Sequence, residues 1–295
     1  MRDGTDDTEA QTTIEATGPA GGAGWAFTDD TGQEVRAAAQ PRRIVAYVRA
    51  GAALYDLGVT PVGVYGSNHD GELPDPAKSG GLVAAGVPYL GPGPELTDEV
   101  LDGLRPDLVV DVTYDDKYPY SLTRPLGVPL VALSVGGAPL PALLGRFADL
   151  ARSLAEDGRL PRTGADPLAV AERAVRDAVA AAPGVRVLAL SGAGAEQVHL
   201  ARPGTWPELR HLVELGVELV EPAPGGGVNW LTTAPEEARS LAPDVVLADN
   251  RAHASPPPVP PGARLADWNP ETPPSAAATA RFLHAVAAAV GSVRR

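Results

Sequence analysis

Aromatic and cationic side chains follow the ends of several predicted strands. The candidates in the first half of the chain are Tyr47, Arg49, Tyr65, His69, Tyr114, Lys117 and Tyr118. Those in the second half are Arg202, Trp206, Trp230 and Arg251. The carboxyl ends of parallel strands meet at one edge of a sheet, which is where ligands bind in α/β folds. Tyrosine and tryptophan offer apolar faces with a polar tip, and arginine donates to oxygen acceptors. This pattern predicts a site for a bulky ligand that carries oxygen acceptors.

The two aromatic residue types are divided between the halves of the chain. All seven tyrosines precede residue 121, whereas three of the four tryptophans follow residue 200. A cleft between two lobes would therefore have a tyrosine wall facing a tryptophan wall. Tyr55 and Tyr89 are assigned to the core, and a place at a helix start is the alternative for Trp206. Any one of the arginines, taken alone, fits an ordinary surface position.

No catalytic constellation is present in the sequence. Gly192 and Gly194 follow a predicted strand but lack the third glycine of a dinucleotide loop. The five histidines are scattered, and there is no cysteine for thiol catalysis, cysteine-bound metal or disulfides. These absences favour a binding protein over an enzyme and give no reason to expect a cofactor. An α/β enzyme with an interlobe active site remains the alternative from another class.

The charge of the chain argues against nucleic acid as a partner. The net charge is −13 and the pI is about 4.8, and no cluster of basic residues is present. Residues 1–24 are polar, acidic and glycine-rich, and they lack the apolar stretch of a signal peptide. We interpret them as a disordered tether ahead of the folded part, typical of an exported protein whose targeting segment has been removed. A simple disordered tail is the alternative.

Strand and helix patterns alternate from Trp25 to the C-terminus. Apolar strands such as "RRIVAYV", "PDLVVDV" and "GVRVLAL" are separated by periodic helices, which predicts an α/β fold with mainly parallel sheets. A helix is predicted at 166–182 and another from about Ser275 to Val290. A single long helix of this kind between two lobes would act as a bridge.

An internal repeat supports a division into two lobes. "YDLGVTPVGV" and "EVLDGLRPDLVVD" in the first half are matched in the same order by "VELGVELVE" and "EEARSLAPDVVLAD" in the second. The repeat predicts two related α/β lobes. The expected domains are residues 25–164 for the first lobe, 165–183 for a bridging helix and 184–295 for the second lobe.

These segments resemble a known family. "FTDDTGQEV", "PRRIVAY", "LGVTPVGV", "ELTDEVLDGLRPDLVV" and "APEEARSLAPDVVLAD" are similar to segments of the substrate-binding proteins of ABC importers for iron–siderophore complexes, haem and vitamin B12. The resemblance extends from Phe27 to the C-terminus. It implies two Rossmann-like lobes bridged by one rigid α-helix, with a ligand held between the lobes and little hinge motion. It also implies docking on permease subunits through one exposed glutamate per lobe, at Glu99 and Glu236.

The resemblance implies a ferric siderophore as the ligand, with the hydroxamate type favoured. Tyr114 and Trp230 occupy positions similar to the contact residues of hydroxamate-siderophore binders, and Arg49 is the first candidate to donate to hydroxamate oxygens, ahead of Arg202 and Arg251. Haem, with Tyr114 or His69 as an iron ligand, and cobalamin are the alternatives. The protein is expected to be a monomer outside the cytoplasm, anchored as a lipoprotein, that delivers an iron chelate to an ABC permease.

Overall fold

A computed structural model of the protein describes residues 24–114, 116–122, 126–161 and 166–293. The expected tether at 1–24 therefore lies almost wholly outside the described residues. Two sheets form the frame, and each has its own apolar core. We call the first half with its sheet the N-lobe and the second half with its sheet the C-lobe. Within the described residues, no helix combines the length and the apolar character needed to cross a membrane.

The N-lobe contains a hairpin, a five-stranded sheet and helices around it. The hairpin strands are β1 (Trp25–Thr28) and β2 (Glu34–Ala37). The sheet strands are β3 (Ile44–Tyr47), β4 (Gly63–Gly66), β5 (Tyr89–Pro92), β6 (Leu108–Thr113) and β7 (Leu130–Ser134). They are parallel, in the order β5-β4-β3-β6-β7. The helices are α1 (Val48–Asp56), α2 (Pro76–Ser79), α3 (Asp98–Leu104) and α4 (Leu140–Leu154), with a single 3₁₀ turn at Gly93–Glu95.

The C-lobe contains a six-stranded sheet and four helices among its described residues. The strands are β8 (Arg186–Gly192), β9 (Val198–Ala201), β10 (Glu218–Leu219), β11 (Trp230–Thr233), β12 (Val245–Asp249) and β13 (Arg264–Trp268). Their order is β11-β9-β8-β12-β13, with β10 paired to the start of β8 and only the β8–β9 and β9–β11 pairs antiparallel. The helices are α5 (Pro167–Ala181), α6 (Pro207–Glu214), α7 (Pro235–Ser240) and α8 (Ala276–Gly291), with a 3₁₀ turn at Pro203–Thr205.

The central strands of both sheets are buried on both faces. All residues of β3 and β6 in the N-lobe, and of β12 in the C-lobe, are buried. This is the expected environment of parallel strands with helices packed on both sides, and it explains why these strands lack a polar–apolar alternation. The two-lobed α/β fold expected from the sequence is confirmed.

The hairpin covers the exposed edge of β7. The Asp29 carboxylate accepts a hydrogen bond from the Ala132 backbone N–H (3.2 Å), and Asp30 accepts one from Ser134 N–H (2.8 Å). Arg146 on α4 donates to Asp30 at 2.7 Å. These side chains satisfy backbone groups that an edge strand would otherwise leave unpaired. The hairpin is thus fixed to the far edge of the N-lobe sheet.

The internal repeat is visible as a repeated set of contacts. In the N-lobe the Asp107 carboxylate accepts the Arg43 backbone N–H (2.8 Å), and the Arg43 side chain donates to the Leu104 carbonyl at the end of α3 (2.6 Å). In the C-lobe Asp244 accepts the Arg186 N–H (2.9 Å), and the Arg186 side chain donates to the carbonyl of Leu241, directly after α7 (2.7 Å). The same helix–strand unit therefore occurs once in each lobe.

The helix expected at 166–182 is α5. The Asp166 side chain caps it by accepting the Leu168 N–H (3.0 Å), and Pro167 occupies its first turn. Its buried Ala171 and Val175 belong to the C-lobe core, whereas α4 belongs to the N-lobe core. The chain therefore passes from the N-lobe core to the C-lobe core between the end of α4 at Leu154 and the start of α5 at Pro167. The domain bounds and the bridging role of 165–183 remain predictions.

Candidate ligand-binding cleft

The carboxyl ends of the central strands bring residues of the two lobes together. In the N-lobe sheet the strand order reverses between the neighbouring strands β3 and β6. In the C-lobe sheet it reverses between β8 and β12. Ligands bind outside such switch points in α/β sheets. Tyr47 ends β3, and Asp249 ends β12.

Glu271 is the centre of a buried polar network between the lobes. The Tyr47 hydroxyl donates to the Glu271 carboxylate, which also meets Arg251 Nη1 at 2.8 Å and Lys78 Nζ at 3.2 Å. Burial alone would raise the pKa of Glu271, but Lys78, the Tyr47 hydroxyl and Arg251 together lower it to about 2. The carboxylate is therefore ionised and ties two N-lobe side chains to the C-lobe. The Arg251 side chain also donates three hydrogen bonds to the Asp249 carboxylate, at 2.7, 3.0 and 3.2 Å.

Residues 67–79, which we call the β4–α2 segment, close one side of the cleft. Lys78 is fully buried and pairs with Asp70 at 2.8 Å within the segment. The Asp75 carboxylate accepts the Ala252 N–H of the C-lobe at 2.9 Å, and the Asn269 amide donates to the Ala77 carbonyl. The segment belongs to the N-lobe by sequence but is hydrogen-bonded to the C-lobe at several points.

Arg49 is buried in the first turn of α1 and also spans the lobes. Its Nε donates to the Thr272 carbonyl at 3.0 Å, and its Nη1 donates to the Tyr114 hydroxyl at 3.2 Å. Burial acts to lower the pKa of Arg49, but Tyr114, Glu208 and Glu271 raise it overall. The guanidinium is therefore charged and oriented at the cleft floor.

Residues 114 and 116–122, which we call the tyrosine loop, carry aromatic rings that meet edge to face. Tyr114 and Tyr120 meet edge to face at 4.8 Å between centroids, and Tyr120 meets Tyr47 in the same way at 5.8 Å. Tyr114 is 37% exposed and Tyr120 is 39% exposed, so both rings retain surface for a ligand. Tyr65, in contrast, is fully buried behind Tyr47.

Three tryptophans pack together in the C-lobe. The ring centroids of Trp206, Trp230 and Trp268 lie 5.1 to 5.6 Å apart. Trp268 is fully buried and donates from Nε1 to the buried Glu208 carboxylate at 3.1 Å. Trp206 is 92% buried at the start of α6, so it is part of the core and not of the cleft wall. Trp230 is half-buried and is the member of this cluster that lines a cavity.

That cavity has a volume of about 530 Å³ and is lined by both lobes. His69 contributes from the N-lobe, while Trp230, Arg251 and His253 contribute from the C-lobe. The rings of His69 and His253 face each other at 5.7 Å. Burial and the nearby cations Arg251 and Lys78 lower the pKa of His253. Among the described residues, no group of three or more histidine, aspartate and glutamate side chains is placed to hold a metal ion.

Three further residues that were expected in the cleft lie elsewhere. Lys117 lines a separate cavity beside the hairpin together with Gln33 and Pro129, because the tyrosine loop turns toward β7 at that point. Arg202 donates to the carbonyls of Ala223, Gly225 and Gly227, so it holds the loop before β11 in place. Tyr118 is 71% exposed at the outer surface of the tyrosine loop. The expected docking residues Glu99 and Glu236 are exposed in the first turns of α3 and α7.

Several residues of the cleft floor were not predicted from the motifs and strand patterns of the sequence. They are Lys78, Glu208, Trp268 and Glu271. Glu271 lies in "NPETPP" after β13, a strand the sequence did not predict. Lys78 is one of only two lysines in the chain, which is a compositional signal that could have drawn attention to it.

Over the described residues, the two lobes, the cleft between them and the strand orders of the two sheets are those of the class III periplasmic-binding-protein fold. The structure is similar to that of DesE, a ferric-siderophore receptor protein from Streptomyces coelicolor, with a TM-score of 0.80 and 26% identity over 92% of this chain and 99% of DesE. Neither a protein-family model nor a curated protein sequence matches the chain.

Other solved structures share the same fold at lower identity. One is the siderophore periplasmic binding protein from the fuscachelin gene cluster of Thermobifida fusca (TM-score 0.58, 18% identity, 85% of this chain and 97% of that one). Another is a periplasmic haem-binding protein from Pseudomonas aeruginosa (TM-score 0.58, 18% identity, 86% and 94%). The resemblance seen in the sequence is thus confirmed, since DesE is a ferric-siderophore receptor protein and the two other structures share the same fold.

Proposed function

We propose that this protein is an extracytoplasmic binding protein that captures a ferric siderophore in the interlobe cleft and does not catalyse a reaction. The observation that carries the proposal is the similarity to DesE over nearly the full length of both chains. The composition of the cleft supports it, because Tyr114, Tyr120 and Trp230 offer aromatic surface beside the guanidinium of Arg251. Aromatic faces and arginine donors suit a chelate with an apolar backbone and oxygen acceptors.

The charge balance of the cleft favours a hydroxamate over a catecholate chelate. Two cations of the cleft floor are already paired with carboxylates of the protein itself, namely Arg251 with Asp249 and Glu271, and Lys78 with Asp70 and Glu271, whereas Arg49 donates to the Thr272 carbonyl and the Tyr114 hydroxyl. A ferric tris-hydroxamate centre is uncharged, whereas a ferric tris-catecholate centre carries three negative charges. Anionic ligands need cations that are not neutralised by neighbours. The preferred ligand is therefore a neutral or cationic chelate.

Haem is the second candidate, and a specific contact favours it. His69 and His253 face each other across the lobes in the cavity, and the Tyr114 ring is partly exposed. Imidazole nitrogen and phenolate oxygen are both ligands for haem iron. Cobalamin is a third possibility with the same cleft.

We further propose that the protein acts as a monomer and hands its ligand to an ABC permease. Glu99 and Glu236, the two docking candidates, occupy the same position in the two copies of the repeat. Anchoring as a lipoprotein on the outer face of the cytoplasmic membrane is part of this proposal, with residues 1–24 as the tether.

Titration of the intrinsic tryptophan fluorescence tests the ligand class. The purified protein is titrated with a ferric trihydroxamate, a ferric tris-catecholate and haem. We expect saturable quenching at sub-micromolar concentration by the trihydroxamate, because Trp230 lines the cavity. The variant Trp230→Phe should lose most of the quenching but retain binding measured by co-elution of the coloured complex. Binding of none of the three ligands would contradict the proposed function.

A further inference from the structure

A buried carboxylate lies directly beneath the tyrosine loop. Asp111 is in the middle of β6 and has no exposed surface. Its side chain accepts hydrogen bonds from the Val112 backbone N–H at 2.7 Å and from Ser121 N–H at 3.2 Å, and the backbone of Leu122 is a further hydrogen-bond partner. Asp111 thus connects the strand before the tyrosine loop with the residues at which the loop returns.

This connection determines where the cleft-facing rings lie. The Tyr120 N–H donates to the Val112 carbonyl at 2.8 Å, next to the bonds that Asp111 accepts. Tyr120 in turn packs edge to face on Tyr114, whose hydroxyl receives a hydrogen bond from Arg49. Displacement of the loop at Ser121 would therefore move both exposed tyrosine rings of the proposed ligand wall.

Besides the backbone N–H groups, two side-chain hydroxyl groups near Asp111 could form hydrogen bonds with it. The Tyr65 hydroxyl and the Ser121 Oγ are buried and have no hydrogen-bond partner among the described residues. The Tyr65 hydroxyl is nevertheless close enough to Asp111 for each group to influence the other. Burial raises the pKa of Asp111 to about 7, partly offset by the backbone N–H groups of Val112, Ser121 and Leu122 and by the Tyr65 hydroxyl. Of these four groups that lower the pKa of Asp111, only the Tyr65 hydroxyl belongs to a titratable side chain.

We propose that Asp111 is a positioning residue whose ionised form holds the tyrosine loop in the ligand-binding arrangement, so that protonation of this carboxylate weakens binding. This inference rests on the proposed function, since it concerns affinity for the ferric chelate. The ionised side chain accepts several backbone N–H groups. When it takes a proton from solvent, one oxygen becomes a hydroxyl donor and a weaker acceptor, so the hydrogen bond that it accepts from the loop is weakened. The new O–H can then donate to the unpaired oxygen of Tyr65 or of Ser121.

The variant Asp111→Asn imitates the protonated form, because the amide has one acceptor oxygen and one donor group. At about pH 8 we expect its affinity for the ferric trihydroxamate to be about tenfold weaker than that of wild type, the cost of roughly one lost charge-assisted hydrogen bond. As the pH falls to about 6, the affinity of wild type should decline toward that of the variant. Histidines ionise in the same range, but both proteins carry the same histidines, so the pH dependence of the variant measures their contribution and the difference between the two proteins measures that of Asp111.

Thermal unfolding separates this role from a merely structural one. A buried carboxylate with a raised pKa makes the folded state less stable as the pH rises from about 4 to about 7. Asp111→Asn should therefore unfold at the same temperature as wild type or a higher one at about pH 8, although it binds the ligand more weakly. A structural residue would lose stability and affinity together. Parallel pH profiles of affinity, or unchanged affinity in the variant at about pH 8, would overturn the proposal.

Hydrogen exchange tests the loop without any ligand. We expect the amides of Tyr120 and Ser121 to exchange faster in Asp111→Asn than in wild type at about pH 8, after correction for intrinsic exchange rates, and the amides of β12 to be unchanged. Equal protection of Tyr120 and Ser121 in both proteins would refute the positioning role. If wild type binds none of the chelates, the proposed function fails, and the exchange measurement still decides whether Asp111 positions the loop.

Discussion

Glu271 holds three polar side chains in one buried cluster, and its charge state should control the stability of the protein in acid. The pKa of Glu271 is lowered to about 2 from an ordinary value of 4.5. A lowered carboxyl pKa contributes stability that is present above about pH 4.5 and is lost as the pH falls toward 2. A difference of this size corresponds to roughly 3 kcal/mol. Loss of this one carboxylate would also leave Lys78 and Arg251 without a shared partner.

The variant Glu271→Gln should therefore be less stable than wild type by about 3 kcal/mol at neutral pH. The difference should shrink as the pH is lowered from about 4.5 toward 2, since wild type then loses the same charge. Urea unfolding of both proteins at a series of pH values measures this. Glu196→Gln, an exposed position of the C-lobe, is the matched control. A stability difference that does not change with pH would refute the role of the charge.

At the scale of single residues, the sequence revealed those that end strands and missed those that follow irregular segments. Tyr47 ends an apolar strand, and Arg49, Tyr114 and Arg251 follow such strands within two residues. In the structure, hydrogen bonds and ring contacts through Tyr120 link all four. Glu271 follows no recognisable strand, and its role depends on partners that come from distant parts of the chain. That these four residues, Tyr47, Arg49, Tyr114 and Arg251, contact a ligand remains a prediction.

The β4–α2 segment is the element that fastens the N-lobe to the C-lobe. It contributes the buried Lys78 between Asp70 and Glu271, and Asp75, which accepts the Ala252 N–H. α2 is only four residues long, so its position depends on these contacts and not on its own helix stability. Removal of the lysine charge leaves two buried carboxylates facing each other, which is strongly unfavourable.

Lys78→Met should therefore lower the free energy of unfolding by about 3–5 kcal/mol. The chain offers an internal control, because its other lysine, Lys117, is exposed. Lys117→Met should change the stability by less than about 0.5 kcal/mol. Chemical denaturation followed by circular dichroism measures both. A Lys78→Met variant as stable as the Lys117→Met control would mean that the ion pairs of the segment contribute nothing net.

At the scale of elements, the sequence predicted regular helices well and short strands poorly. The helix expected from Ser275 to Val290 is α8, with Ser275 as its cap. The strand expected at Arg42 to Val48 is limited to Ile44–Tyr47, because Val48 already begins α1. β9 and β11 are held by pairing across distant positions, so local patterns carry little information about them.

The whole molecule has an approximate twofold repeat, and this gives each lobe one exposed glutamate at an equivalent position. Glu99 and Glu236 are both second residues of helices whose ends are fixed by the same aspartate and arginine contacts. Glu236 is exposed and paired only at the surface with Arg239 (2.8 Å), an interaction that contributes little to stability. Two such carboxylates on a rigid body would present a fixed pair of charges to a permease.

Glu99→Ala combined with Glu236→Ala should abolish ligand uptake by cells that express the cognate permease, while the affinity of the purified protein changes by less than about twofold. Neither glutamate contacts the cleft network described above, which is why binding should be retained. The control is Glu34→Ala combined with Glu218→Ala, two exposed glutamates outside the repeated helices, one in each lobe. This control removes the same net charge as the test variant. It should preserve uptake because both positions lie outside the proposed docking helices. Equal uptake by both double variants would exclude docking through these helices, and equal loss would indicate that only net charge matters.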